Sequence, residues 1–344
     1  MKFVIDRAIP FIDGVFEPYG AEVLYKDGPE IVRDDLLDAD ALVIRTRTRC
    51  DPALLKGTGI KLIATATASM DNIDQEWCRE HGIFIQNASG CNAGGVTNYV
   101  FSALFGTASR KSISLDGATI GIIGLGAAGS RVEEMALALG FKTLRYDPIR
   151  ADREGPAEFH DLDAVLAGSD VITMHIPVNA TTRGMADADF FAKMKPGAFF
   201  INAAQGELVV EQDLIDAIPR LGPVALDAWC HEPDVNRKLL ELVDIATPHI
   251  AGYTLQGKQI GTSLAIRAVA RFFSLSALYE FFPTTEILEY QAVRIDAHDK
   301  TQGQIAATIQ YNYPIFTDDF MFRMSPDRFS ELRSEYSYRR EFYF

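Results

Sequence analysis

Three glycines, Gly124, Gly126 and Gly129, spell GLGAAG between an apolar run, TIGII, and a helix-compatible stretch that begins near Ala127. A strand, a tight turn and a helix start in that order present free backbone N–H groups to a phosphate. In this context Gly124 allows the turn, Gly126 lets a pyrophosphate reach the backbone and Gly129 lets helix and strand pack closely. Leu125, Ala127 and Ala128 complete the loop that would wrap a dinucleotide. The next apolar run, KTLRYD, ends on Asp147, where a carboxylate accepts hydrogen bonds from both ribose hydroxyls and repels a 2′-phosphate. NAD is therefore the expected cofactor, and Arg150 and Arg153 are the residues that would serve NADP instead.

A second constellation lies in IRTRTRC, where Arg45, Arg47 and Arg49 alternate. In extended conformation all three project to one face. A chain with a formal net charge of −14 has little reason to gather cations, so an anionic ligand is one reading and a solvated basic edge strand the other. The overall acidity disfavours nucleic-acid and anionic-membrane partners. The four cysteines, Cys50, Cys78, Cys91 and Cys230, lack metal-ligand spacing, which predicts neither a metal site nor a disulfide framework. No apolar run is long enough to span a bilayer and MKFVIDRAIP reads as a strand, so the expected location is cytoplasmic.

These residues need a scaffold, and the apolar pattern supplies an α/β one. KFVID, AEVLY, ALVIRT, IKLIATA and IFIQNA read as strands separated by helix-compatible segments such as PEIVRDDLLDA and DNIDQEWCREHG. A long helix, VTNYVFSALFGTASR, then leads into six further strands: TIGIIGLG, KTLRYD, VITMHIP, AFFINA, PVALDAW and DIATPH. Alternation of strand and helix predicts parallel sheets, and six strands suit a doubly wound one. GTSLAIRAVARFFSLSALYEFF reads as a helix closed by Pro283. The Tyr-, Phe- and Arg-rich remainder is too short for a robust core of its own and is expected to dock on the body or on a second subunit.

PGAFFINAAQGELV, LDAWCHEPDVN and TPHIAGYTLQGK follow one another in the order of the D-2-hydroxyacid dehydrogenase family, which the chain resembles over nearly its whole length. GCNA, YDPIRADREG and AGYTLQGK are similar to a branch of that family acting on a phosphorylated hydroxy acid. The resemblance implies a doubly wound parallel Rossmann sheet for NAD (residues 96–252), a flavodoxin-like α/β substrate domain (residues 1–95 and 253–283) and a small α+β dimerisation domain (residues 284–344). It implies a homodimer and a small phosphorylated 2-hydroxy acid as substrate.

Carried over by position, the resemblance makes His249 the acid/base and Glu232 its partner. Oxidising an alcohol releases the hydroxyl proton as hydride leaves carbon, a task for an imidazole, and a carboxylate orients the ring and stabilises the imidazolium. His231 is the competing histidine; His175, in the HIP turn, is read as lining the cofactor loop. Ile176, Asp227 and Gly252 join the cofactor residues, and Arg45, Thr46, Thr67 and Tyr253 the substrate residues. The chain departs from the family at Gln205: the pattern N-x-x-R-G reads Asn202-Ala203-Ala204-Gln205-Gly206. The family's arginine binds the substrate carboxylate, and a neutral amide gives up its charge. Ser69 and Met70 stand where the family commonly has Gly and Thr. Besides the dehydrogenase of a phosphorylated hydroxy acid, two readings stay open: a silent NAD(H)-binding relative, and a dehydrogenase of another D-2-hydroxy acid such as phosphoglycerate.

Overall fold

A computed structural model describes residues 1–284 and 291–344. The chain forms two compact units, Met1–Asn92 with Leu255–Gln291, and Ala93–Thr254 with Ala292–Phe344.

The first unit is built on β1 (Lys2–Asp6), β2 (Glu22–Lys26), β3 (Ala41–Ile44), β4 (Leu62–Thr65) and β5 (Phe84–Asn87), all parallel in the order β2-β1-β3-β4-β5. That is the flavodoxin-like order. The central strands ALVI and LIAT are buried at every position, as parallel strands covered on both faces must be. Helix Leu255–Phe272 covers one face through Ala265, Ile266, Val269 and Ala270.

Two expectations are corrected here. PEIVRDDLLDA forms only short 3-10 turns, Gly28–Glu30 and Arg33–Leu36, because Pro29 and the Asp35 carboxylate, which accepts from Val32 N, favour local turns over an α-helix. The long helix stops at Phe272, not at Pro283: Ser274 adopts the left-handed conformation (φ 58°), and Leu275 N turns back to Ala270 O.

The second unit holds β6 (Thr119–Ile123), β7 (Lys142–Tyr146), β8 (Val171–Met174), β9 (Phe199–Asn202), β10 (Val224–Leu226) and β11 (Ile245–Ala246), parallel in the order β11-β10-β9-β8-β6-β7. The usual Rossmann sheet has one more strand outside β7. Here it is reduced to one backbone hydrogen bond, from His160 N to Arg145 O. The order reverses between β6 and β8, and ligands bind at the carboxyl ends of strands at such a switch point.

Helix Ala93–Lys111 is buried from Val96 to Ala108 because that stretch carries no charged side chain. Residues 292–344 pack within this same unit. Ile309, Tyr313, Ile315 and Phe342 share a core with Tyr99 and Val100, while Val293–Arg294 (β12) pairs with Phe342–Tyr343 (β13). Asp319 Oδ1 accepts from Ala246 N and so ties the tail to β11. Among the described residues no helix is long and apolar enough to cross a membrane.

Candidate active site

The glycine loop follows β6 with each glycine in a distinct position. Gly124 has φ 90°, and a Cβ there would lie 2.5 Å from Ile176 Cγ2 and 2.8 Å from His175 O, so the turn after β8 is packed against it. A Cβ on Gly129 would fall 1.9 Å from Gly124 O, which requires bare backbone where helix Ala127–Ala138 meets the strand. A Cβ on Gly126 would meet nothing within 4 Å. The middle glycine therefore opens onto space at a helix start, as a pyrophosphate cradle requires.

Asp147 ties the loop to the next strand: Oδ2 accepts from Leu125 N (2.8 Å) and Oδ1 from Arg150 N (3.0 Å). Each oxygen retains lone-pair capacity for a ribose hydroxyl. Arg150 donates to both Glu154 oxygens (2.7 Å each), to Leu125 O and to Ser130 Oγ. Its charge is thus committed within the loop, and the Asp147 carboxylate stands at the glycine turn beside Leu125 N, an arrangement suited to NAD over NADP. His175 Nε2 lies 3.0 Å from Thr173 Oγ1, and burial pushes its pKa down to about 4, which keeps it neutral and unfit as a base near neutrality.

Three neighbouring strand ends carry the remaining residues. After β9, Asn202 closes a turn in which its Nδ2 donates to Gln205 O (2.8 Å) and its Oδ1 accepts from Ala204 N (3.1 Å). The Gln205 side chain makes no hydrogen bond among the described residues. Gly206 lies flat on the segment after β10, since a Cβ would come within 2.0 Å of Trp229 C. That segment presents Glu232, whose Oε1 accepts from Trp229 N (3.0 Å). After β11, His249 Nδ1 donates to Glu232, 2.9 Å from either oxygen. The carboxylate selects the Nδ1–H tautomer and leaves Nε2 to exchange a proton with a substrate. Burial alone would raise the Glu232 pKa; His249, the Trp229 amide and the Arg333 charge outweigh it and hold it below the usual range. His231 is exposed.

His249 has φ 56°, a strained conformation for a residue with a side chain. Its loop is held from both sides. Asp227, fully buried, accepts from Ile250 N and Ala251 N (2.8 Å each) and from Thr247 Oγ1 (2.7 Å), while its own carbonyl accepts from His249 N (2.8 Å). On the other side Arg339 donates to the carbonyls of Ile250 (3.1 Å), Ala251, Tyr253 (3.3 Å) and Gly95 (3.2 Å), with its guanidinium 3.9 Å from the Tyr313 ring centroid. Gly252 belongs to this loop; a Cβ on Gly95 would approach its carbonyl carbon to 3.1 Å.

In the first unit the arginines do not share a face. β3 ends at Ile44, and residues 45–49 leave it in a turn, so the alternation of an extended strand is lost. Arg45 Nε bonds the buried Asp6 carboxylate (3.1 Å); Arg49 pairs with Asp51 (2.9 Å), and Arg47 and Thr46 are exposed. Thr67 Oγ1 lies 2.7 Å from Thr65 Oγ1, and Ser69 Oγ donates to Asp71 (2.7 Å). Met70, partly buried, packs against the apolar cluster of that unit that includes Ile73 and Cys78. Tyr253 is in the second unit, beside Tyr336 and Tyr338.

The family model for the NAD binding domain of D-isomer specific 2-hydroxyacid dehydrogenases matches residues 99–251. The erythronate-4-phosphate dehydrogenase of Bacteroides thetaiotaomicron is 38% identical over 99% of this chain and 97% of its own length. This chain belongs to the erythronate-4-phosphate dehydrogenase family. The enzyme of that name from Yersinia pestis is also 38% identical, over 99% of this chain and 93% of its own length. A solved structure of NAD-bound 3-phosphoglycerate dehydrogenase from Entamoeba histolytica superimposes with a TM-score of 0.68 at 26% identity, covering 83% of this chain and 99% of that one. D-Lactate dehydrogenase from Aquifex aeolicus, complexed with NAD and lactic acid, gives 0.66 at 25%, covering 83% and 100%.

For a member of the erythronate-4-phosphate dehydrogenase family, these geometries make the chain an NAD-dependent oxidoreductase with Rossmann architecture. Arg339, Arg333, Thr247 and the Asp6 partner of Arg45 were not found by sequence reasoning. The charged run ELRSEYSYRREF was the sole signal for the two arginines, and nothing in its spacing tells which loop they reach.

Proposed function

We propose that this protein oxidises 4-phospho-D-erythronate to its 2-oxo acid, a step of pyridoxal phosphate formation, with His249 receiving the hydroxyl proton. Near-complete alignment at 38% identity with relatives named for that activity carries the choice of substrate. The His249–Glu232 pair at the end of β11 supports the chemistry. When bound, NAD supplies the hydride acceptor. The chain's own part is to seat the pyrophosphate on the amides after Gly124, to hold the ribose at Asp147 and to keep His249 Nε2 ready for the proton. As positive charge develops on the imidazole, Glu232 stabilises it without taking the proton. A silent NAD(H)-binding relative is not favoured, because the His249–Glu232 contact is made and the relatives carry the dehydrogenase name.

Arg45, Thr46, Thr67 and Tyr253 are the substrate residues in this reading. The Arg45 guanidinium, half buried and oriented by Asp6, suits an anion. The assembly is proposed as a cytoplasmic homodimer, supported by Tyr311, Phe320, Met321 and Met324, apolar side chains exposed on helices of the tail. The test is NADH formation with 4-phospho-D-erythronate, 3-phospho-D-glycerate and D-lactate. A clear preference for the first supports the reading. Equal or greater kcat/KM with either of the others refutes it. Unchanged KM in Arg45→Ala removes Arg45 from the substrate site.

A further inference from the structure

Gln205 leaves the site one positive charge short of the family pattern, and an arginine from the C-terminal segment stands beside the dyad. Arg333 is on helix Phe329–Ser334, and its Nη1 lies 3.8 Å from Glu232 Oε2. The distance is that of an ion pair and is too long for a hydrogen bond. Its Nε is buried and has no hydrogen-bond partner among the described residues. Its Cζ lies 5.8 Å from the centre of the Tyr253 ring. The side chain keeps 29% of its surface exposed, so its terminal N–H donors stand open to an anionic ligand next to the acid/base pair.

The placement is built into the fold. Phe329, four residues before Arg333 and hence on the same helix face, packs on Phe322, and Phe322 packs on Trp229. Trp229 in turn donates its N–H to Glu232. One apolar cluster thus fixes both the carboxylate and the helix that carries the arginine. Gly206 presses the Gln205 loop onto the backbone of Trp229, so the loop with the missing charge borders the same turn.

A 2-hydroxy acid whose hydroxyl reaches His249 Nε2 must bring its carboxylate, one bond from the reacting carbon, close to the dyad. Burial raises the Glu232 pKa, but His249, the Trp229 amide and Arg333 hold it below the usual range, so Glu232 is ionised near neutrality and a second carboxylate brought close to it is repelled unless a cation offsets the charge. We propose that Arg333 binds the substrate's α-carboxylate and polarises the reacting oxygen, supplying from the C-terminal segment the cation that Gln205 lacks. The inference rests on the reading of the protein as a 2-hydroxy acid dehydrogenase. Reaction balance is that of the oxidation already described: Arg333 keeps its proton throughout.

The experiment compares wild type, Arg333→Gln, Arg333→Ala and Arg333→Gln/Gln205→Arg. NADH formation by the wild type with any hydroxy acid of the panel comes first, and its absence counts against the functional reading. Arg333→Gln is then expected to lose on the order of 100- to 1000-fold in kcat/KM, as when a preorganised charged donor is removed. Melting temperature and NADH affinity should hold. Millimolar guanidinium should partly restore Arg333→Ala, and Gln205→Arg should recover at least about tenfold in the Arg333→Gln background. Wild-type kcat/KM in Arg333→Gln overturns the proposal. So does a loss that neither guanidinium nor Gln205→Arg repairs, because Arg333 would then only support Glu232. Calorimetric binding of oxalate to the NADH complex decides independently of turnover: Arg333→Gln should bind it at least about 30-fold more weakly, and equal binding refutes the contact.

Discussion

Arg339 holds the loop of His249 from the side opposite Asp227, and replacing it with methionine keeps the length of the side chain while removing every donor. The guanidinium serves carbonyls of Ile250, Ala251 and Tyr253 and is enclosed against Tyr313. A charged hydrogen bond contributes about 1.5–3 kcal/mol. The bonds share one donor group, so they do not add, and about 3–5 kcal/mol is the scale for removing one partner from a buried charged network. Loss of stability of about 4 kcal/mol follows. The effect on rate comes from His249, whose left-handed backbone costs about 1–3 kcal/mol and persists only while the loop is over-determined. Releasing that strain depopulates the working geometry by about 10- to 100-fold, each factor of ten being about 1.4 kcal/mol. Denaturant unfolding measures the first quantity and kcat, at temperatures where Arg339→Met is folded, the second. A variant that keeps wild-type kcat while losing stability would refute the claim that the tail positions the histidine.

Other outcomes follow from the same geometry. Glu232→Gln keeps the shape and loses the charge beside His249, so kcat should fall about 10- to 150-fold, the equivalent of about 1.5–3 kcal/mol, with NADH affinity unchanged; stopped-flow turnover and fluorescence titration separate the two. Gly206→Ala drives a Cβ into the Trp229 backbone, for which no side-chain motion compensates; destabilisation of about 3 kcal/mol or more, read by denaturant melts, is expected. His175 stays neutral in the fold down to about pH 4, while in the unfolded chain it takes up a proton near pH 6.5. The unfolded state therefore binds more protons between those values, and stability falls as pH is lowered from 6.5 to 4, by at most about 3 kcal/mol given that the residue is partly exposed. His175→Gln should flatten thermal stability across that window, and an unaltered slope would contradict the assignment.

The parts legible in the sequence are those governed by local pattern. The GLGAAG turn, Asp147 and the eleven strands of the two large sheets obey short-range rules of period and turn chemistry, and each has its counterpart in the fold. His249 and Glu232 were named through family resemblance, and the structure supplies their 2.9 Å contact. Three readings failed for identifiable reasons. Alternation puts Arg45, Arg47 and Arg49 on one face only while the strand lasts, and β3 stops at Ile44. The apolar run before Pro283 predicts one long helix, yet Ser274 turns left-handed. PEIVRDDLLDA has helical spacing, but its Pro and Asp residues spend themselves on turns. Arg333 and Arg339 were invisible for another reason: their partners lie about a hundred residues earlier, and only tertiary packing of the tail brings them together.

In the proposed reaction hydrogen passes directly from the hydroxyl-bearing carbon of a D-2-hydroxy acid to the cofactor, with His249 as base. Turnover of 4-phospho-D-erythronate deuterated at carbon 2 tests it by mass spectrometry of the reduced cofactor. One deuterium per NADH is expected from the wild type, and a rate lower by several orders of magnitude from His249→Gln with NADH binding retained. Unlabelled NADH, or a His249→Gln protein as fast as the wild type, would contradict it.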